Sequence, residues 1–133
     1  MAGTFKFELV IPERILISED AEQVVVPGSE GDFTVLAGHA PVMSTLRPGL
    51  IEVKLPAGQK RLFVKAGFAE VVADGLTVLA EHALDVADLT SERLAAEIER
   101  AEGDLAAAKD ERTSAQAAAA VERLKSLQRE LRA

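Results

Sequence analysis

The chain of 133 residues contains no cysteine, no tryptophan and no tyrosine. Without cysteine there are no disulfides, no thiolate metal sites and no cysteine nucleophile. Five phenylalanines are the whole aromatic content, so stacking platforms for bases or sugars are scarce. Positive charge is also short: the formal net charge is −7, which argues against binding a phosphate backbone. No apolar run approaches the roughly 20 residues of a membrane span. The N-terminus "MAGTFKFELV" has no basic segment followed by an apolar one, so it reads as a strand and not as a signal peptide. The expectation is a soluble, cytoplasmic protein, with docking on a membrane protein left open. Nearly half the residues are apolar, enough for one compact unit or a small domain with an appendage.

Proline is absent after Pro56, and this absence coincides with a change of period. Up to about residue 84 the chain reads as β. In "TFKFELVI" the residues Phe5, Phe7, Leu9 and Ile11 share one face, with Lys6 and Glu8 on the other. "LIEVKL" repeats the alternation with Ile51, Val53 and Leu55. "RILIS", "EQVVVP", "RLFVKAG", "FAEVVA" and "LTVLA" are further β-rich runs. Turn pairs separate them: Pro27-Gly28, Pro48-Gly49, Ala57-Gly58, Ala66-Gly67 and Asp74-Gly75, the last a strong two-residue hairpin signal. Short strands at this spacing predict an antiparallel sandwich or barrel over residues 1–86. A body of that size buries a modest core and gains from stable partners.

Residues 87–133 are rich in Ala, Glu, Arg and Leu. Leu94, Ile98, Ala101, Leu105 and Ala108 recur at steps of four and three, as do Ala117, Ala120, Leu124, Leu127 and Leu131. Each set predicts an amphipathic helix with a narrow apolar stripe. Asp88 or Thr90 is expected to cap the first, and "TSAQ" (Thr113 to Gln116) to form a capping box on the second. A break near 110–113 makes the pair an αα-hairpin. Alanine seams bury little area, and Gly103 inside the first helix costs about 1 kcal/mol relative to alanine. The hairpin is therefore expected to be weakly held. Acids dominate residues 91–109, whereas Arg123, Lys125, Arg129 and Arg132 make the last helix basic. Two solvated faces that complement each other, or a basic helix reaching an acidic partner, both fit that division.

Chemistry is concentrated in "VVVPGSEGDFTVLAGHAP", residues 24–41. Glu30, Asp32 and His39 invite an acid–base or metal reading. A hard-cation loop needs more oxygen ligands, and a zinc site needs clustered His or Cys, whereas this chain has only His39 and His82. The preferred reading is two turns: Gly28 and Gly31 as backbone requirements around a charged tip, and Gly38-His39-Ala40-Pro41 as a rigid corner. The remaining sequence carries no "GxxxxGK", "GxGxxG" or "GxSxG", so no enzyme is expected and no cofactor.

"VPGSEGDFTVLAGHAPVMSTLRPGLIEV", then "GFAEVVADGLTVLAEHA", then an alanine-rich hairpin together resemble the ε-subunit family of bacterial F-type ATP synthases, which includes the mitochondrial δ subunit. The likeness covers essentially the whole chain, and its most specific parts are "GSEG", "GHAP" and "RPG". It implies a β-sandwich of about ten strands followed by two helices. It also implies a non-catalytic rotor subunit in the central stalk, peripheral on the cytoplasmic face of the bacterial inner membrane, coupling c-ring rotation to the catalytic head through the γ subunit. By the same resemblance Ser29, Glu30, Gly31 and Asp32 face the c ring, and His39, Ala40, Pro41 and Val42 face γ. An extended hairpin would bring Arg123, Lys125, Arg129 and Arg132 to an acidic loop of the β subunit and inhibit ATP hydrolysis. The alternative is a nucleotide-sensing subunit whose hairpin binds ATP. Family members that do so carry I/L-D-x-x-R-A; here "LTSERL" keeps Leu89 and Arg93 but has Thr90 and Leu94 in place of the aspartate and alanine. Leucine would crowd such a site and a carboxylate is missing, which leaves Arg93 as the nucleotide candidate.

Overall fold

The computed structural model describes residues 3–132, Arg132 through its backbone only. These residues fall into two compact units that divide between Ala87 and Asp88. The first is a sandwich of two five-stranded sheets. One sheet contains β1 (Phe5–Ile11), β2 (Arg14–Ala21), β5 (Val42–Thr45), β8 (Gly67–Val72) and β9 (Gly75–Ala80), in the order β2-β1-β9-β8-β5. The other contains β3 (Gln23–Gly28), β4 (Gly31–Leu36), β6 (Gly49–Leu55), β7 (Gly58–Val64) and β10 (Ala83–Asp85), in the order β10-β7-β6-β3-β4.

Alternation places the core. Phe5, Phe7 and Leu9 of β1, Leu76 and Val78 of β9, Val24 and Val26 of β3, and Ile51 and Val53 of β6 all point inward and are buried. Ile11 and Leu55, at strand ends, are only half-buried and pack against that cluster. Burying each such large side chain contributes about 1.5–3 kcal/mol. The ladders are antiparallel with one exception: β1 pairs with β9 in parallel, Lys6 opposite Gly75 and Leu9 opposite Val78. The parallel pair sets the first strand inside its sheet, between β2 and β9, a long-range closure that no local pattern in the sequence announces.

The ten strands match the number the resemblance implies, but three of them, β4, β5 and β10, are not among the β-rich runs read from the residues. Two are short, and β4 begins inside the glycine-rich stretch that reads as loop. The hairpins also turn one residue earlier than expected. Val72 pairs with Gly75, so Ala73 and Asp74 form the turn and Gly75 opens β9. Leu55 pairs with Gly58, leaving Pro56-Ala57 as the turn. Proline at the second position and glycine at the fourth are what a type I turn favours.

The second unit comprises α1 (Ser91–Ala107) and α2 (Glu111–Arg132). Thr90 caps α1: its hydroxyl accepts from the Arg93 amide at 3.1 Å. Asp88 instead ends a short 3₁₀ turn, Val86–Asp88. The second cap is not Thr113. Asp110 accepts from the Thr113 amide at 2.7 Å, so α2 starts earlier than the capping box predicts and Thr113 lies in its first turn. Asp110 wins because an ionised carboxylate at an N-terminus bonds the free amides and also meets the positive end of the helix dipole. The Thr113 amide accordingly holds the Asp110 carboxyl below its ordinary value of 3.8. Leu94, Ile98, Ala101, Ala117, Ala120, Leu124 and Leu127 are buried as the stripes require, whereas Leu131 is exposed. Glu97 is buried beside the first stripe, with Arg100 at 3.9 Å.

Candidate docking site

Gly28 pairs with Gly31, so Ser29 and Glu30 form the exposed tip of the β3–β4 hairpin. Gly31 sits at φ +134°, a region that favours glycine. The tip is braced from beneath by the end of β5 and the chain that follows it towards β6. The Ser29 amide donates to the Thr45 carbonyl at 2.9 Å, and the Thr45 hydroxyl donates to the Ser29 hydroxyl at 2.7 Å. The Arg47 amide donates to the Pro27 carbonyl at 2.9 Å and Arg47 Nε to the Gly28 carbonyl at 3.1 Å. The far end of the same guanidinium meets the Asp32 carboxylate.

His39 is elsewhere. It lies past the other end of β4, in a corner where its amide donates to the Leu36 carbonyl and its Nδ1 lies 2.6 Å from the Ala40 carbonyl. Gly38, at φ +80°, makes the bend. The strand between Asp32 and Leu36 spans about 13 Å at roughly 3.3 Å per residue, so the tip acids and His39 sit at opposite ends of it. A joint acid–base or metal site of Glu30, Asp32 and His39 is thereby ruled out by distance. Among the described residues no group of three or more His, Cys, Asp or Glu could hold a metal ion. Ala40, Pro41 and Val42 follow His39 on the exposed side, and Val42 opens β5.

A surface that the sequence does not single out lies on the outer face of the β2-β1-β9-β8-β5 sheet. Register sets Ile15 opposite Val10, Val10 opposite Leu79, and Leu79 opposite Phe68. This is an apolar row across four strands, with Ile15 57% exposed and Leu79 and Phe68 each 37% exposed. The parallel row beside it is polar: Ser18, Glu8, Thr77 and Glu70, ending at Met43 on β5. Met43 is 62% exposed and lies diagonal to Phe68. The visible signal is that Phe68 and Val72 share a face with Glu70 in "GFAEVV". Only the strand order reveals that neighbouring strands continue the stripe.

In the helical unit Arg129 is exposed and Arg123 half-exposed, while Lys125 reaches Glu102 of α1 at 3.2 Å. The Arg132 side chain lies outside the described residues. Arg93 is exposed in the first turn of α1, and Leu94 beside it is buried.

Constrained corners, a braced acidic tip and an exposed apolar row on a stiff two-layer body define a protein-docking module. The comparisons with known proteins agree. Residues 4–86 match the family model described as the β-sandwich domain of the ATP synthase delta/epsilon chain. The ATP synthase epsilon chain of Maricaulis maris is 51% identical over 128 residues, covering 96% of each chain. That of Parvibaculum lavamentivorans is 55% identical over 118 residues, 86% of this chain and 89% of its own. That of Rhodospirillum rubrum is 49% identical over 121 residues, 90% of each chain. The chain belongs to the ATP synthase delta/epsilon chain family. It is a non-catalytic, central-stalk subunit of that complex, peripheral to the membrane. No helix among the described residues is long and apolar enough to cross a membrane. Among solved structures, a chain of the Euglena gracilis mitochondrial ATP synthase, in an assembly of OSCP, F1 and c-ring, shares the fold with a TM-score of 0.72 at 24% identity, covering 96% of this chain and 81% of that one.

Proposed function

We propose that this subunit couples rotation of the membrane c ring to the catalytic head by gripping the γ shaft with one part of its sandwich and the ring with another. The observation that carries the shaft contact is the apolar row Ile15, Val10, Leu79 and Phe68, with Met43 at its side. Large apolar side chains left in water on a regular sheet face favour a protein partner. The row meets β5 at Thr45, opposite Phe68, and Met43 beside it is one residue from Val42, the last of the corner residues His39, Ala40, Pro41 and Val42 assigned to γ by resemblance. The c ring then falls to the tip, Ser29, Glu30, Gly31 and Asp32, where two carboxylates meet polar or cationic loops. Solved assemblies from Euglena gracilis and Tetrahymena thermophila that contain similar folds include a c-ring, and the latter also a central stalk. The subunit's place is the cytoplasmic face of a bacterial inner membrane.

A second duty, inhibition of ATP hydrolysis, draws support from the open end of α2. Arg129 and Arg123 are accessible to an acidic loop of the β subunit, whereas Lys125 would first have to release Glu102. That exposed pair is worth at most about 1 kcal/mol, a small barrier to exchange of partners. One experiment tests both duties: mix the full chain with a catalytic hexamer containing γ, then measure co-elution and ATP hydrolysis. Stoichiometric co-elution and slower hydrolysis are expected. Failure to co-elute would end the stalk-coupling reading, and unchanged hydrolysis in a complex that does form would end the inhibitory one.

A further inference from the structure

We infer that Arg47 is a positioning residue which presets the Ser29–Asp32 tip and ties it mechanically to β5, the strand leading to the γ-facing corner. This rests on the reading of that tip as the ring contact.

The tip protrudes from the edge of the sheet that ends in β4, and a free two-residue turn of this kind would swivel. Arg47 prevents this with three contacts on three parts of the hairpin. Its amide holds Pro27, its Nε holds the Gly28 carbonyl, and its terminal nitrogen holds Asp32 on the returning strand. Only arginine offers a rigid planar fork able to bond a backbone carbonyl with one nitrogen and a carboxylate with another. The ion pair is half-exposed, so its worth lies in orientation rather than in global stability. The local packing agrees: a Cβ on Gly49 would lie 3.0 Å from the Pro27 ring, so the corner is seated closely against the base of the tip.

The second consequence is the path of force. Thr45, at the end of β5, bonds Ser29 in both directions, and Leu46 bridges Gly28. The Leu46 amide also donates to the Gly67 carbonyl at 3.0 Å, where β8 begins. The stretch Thr45–Arg47 therefore joins the tip of one sheet to β5 and β8 of the other. A load applied at Glu30 passes through this stretch to the face that carries Phe68 and Met43. Asp32 then has a double role, since one oxygen is engaged by Arg47 while the carboxylate still borders the tip.

The test uses the full chain, alone and within ATP synthase reconstituted into liposomes. Arg47→Ala is expected to speed amide exchange at Ser29 about tenfold or more, the loss of one charge-assisted brace, while Val24 and Val26 in β3 stay protected. In liposomes the same variant lowers protons pumped per ATP hydrolysed, and Arg47→Lys recovers part of the loss because it keeps the charge without the fork. Two Glu30 and Asp32 alanine substitutions provide the reference. If these abolish coupling while Arg47→Ala pumps normally with unchanged exchange at Ser29, the positioning role is refuted and the ring contact stands. If the tip substitutions themselves leave pumping intact, the ring-contact reading falls, and this inference with it. Should Arg47→Ala prove unfolded by circular dichroism, Arg47→Gln is measured in its place under the same criteria.

Discussion

One substitution, glycine to alanine, should have opposite effects at two positions. At Gly67 the backbone is at φ +140°, and an added Cβ would lie 1.9 Å from the Leu79 carbonyl oxygen and 2.9 Å from Ala80 Cα. Both obstacles are backbone atoms of the paired strand, so neither can swing away. Conformational strain and steric displacement together cost about 3–5 kcal/mol. At Gly103, inside α1, nothing lies within 4 Å of the added carbon and the backbone is helical. Alanine there gains about 1 kcal/mol from helix propensity. Because the chain has neither tryptophan nor tyrosine, intrinsic fluorescence offers no probe. Far-UV circular dichroism with residue-resolved hydrogen exchange in urea is the assay, since it follows strands and helices separately. Gly67→Ala should lower the unfolding temperature of the sandwich by about 12 °C or more. Gly103→Ala should slow exchange in α1 and α2 and leave β1 and β9 as they were. A Gly67→Ala sandwich within about 1 kcal/mol of the parent would refute the argument, because it would mean that the β8–β9 register can yield where the structure makes it tight.

Three further outcomes are expected. The Asp110 carboxyl is held below 3.8 by the Thr113 amide, so its contribution to α2 is fully present above that value and is lost as pH falls through its lowered folded value. Helical signal should therefore fall on acidification below about pH 4, and Asp110→Asn should flatten that part of the titration. Met43→Glu should leave the unfolding midpoint within about 0.5 kcal/mol of the parent, since the side chain is 62% exposed, yet weaken binding to the γ-containing head in a titration. A chain cut after Ala87 should stay folded by circular dichroism, because every member of the buried cluster lies between Phe5 and Ala80.

Much of this molecule can be read from its residues, for identifiable reasons. Phe5, Phe7 and Leu9 alternate without interruption, so the first strand and its inward face are legible before any coordinates. The helical stripes are legible in the same way, from Leu94 to Ala101 and from Ala117 to Leu127. What fails is whatever depends on non-local pairing. The four residues of β5 show no inward apolar pattern, because the strand lies at a sheet edge with Val42 and Met43 exposed. The parallel β1–β9 pair is invisible, since it joins residues some seventy positions apart. For the same reason the stripe from Ile15 to Phe68 exists only once register has aligned four strands. Of the candidate site, "GSEG" and "GHAP" mark two corners correctly, but their separation along β4 cannot be read from the six residues between Asp32 and His39. At Asp110 two capping signals compete three residues apart, and charge decides between them.

The spacing of those two corners carries a mechanical argument. A subunit that passes torque between partners must deform less than the partners do, which requires that its contact sites be linked by elements that resist shear. β4 and β5 run between the tip and the corner, one in each sheet, and each is paired along one side only, β4 with β3 and β5 with β8. Single-sided strands are the compliant part of a sandwich. The bonds at Thr45, Leu46 and Arg47 close the two edges into a loop at the tip end, and the Gly38 corner closes them at the other. An open edge thus becomes a frame with two fixed corners. The acids at the tip and the apolar row on the outer sheet face, which meets β5 at Thr45, can then serve different partners, because neither contact has to bear on the hydrophobic core that holds the sheets together.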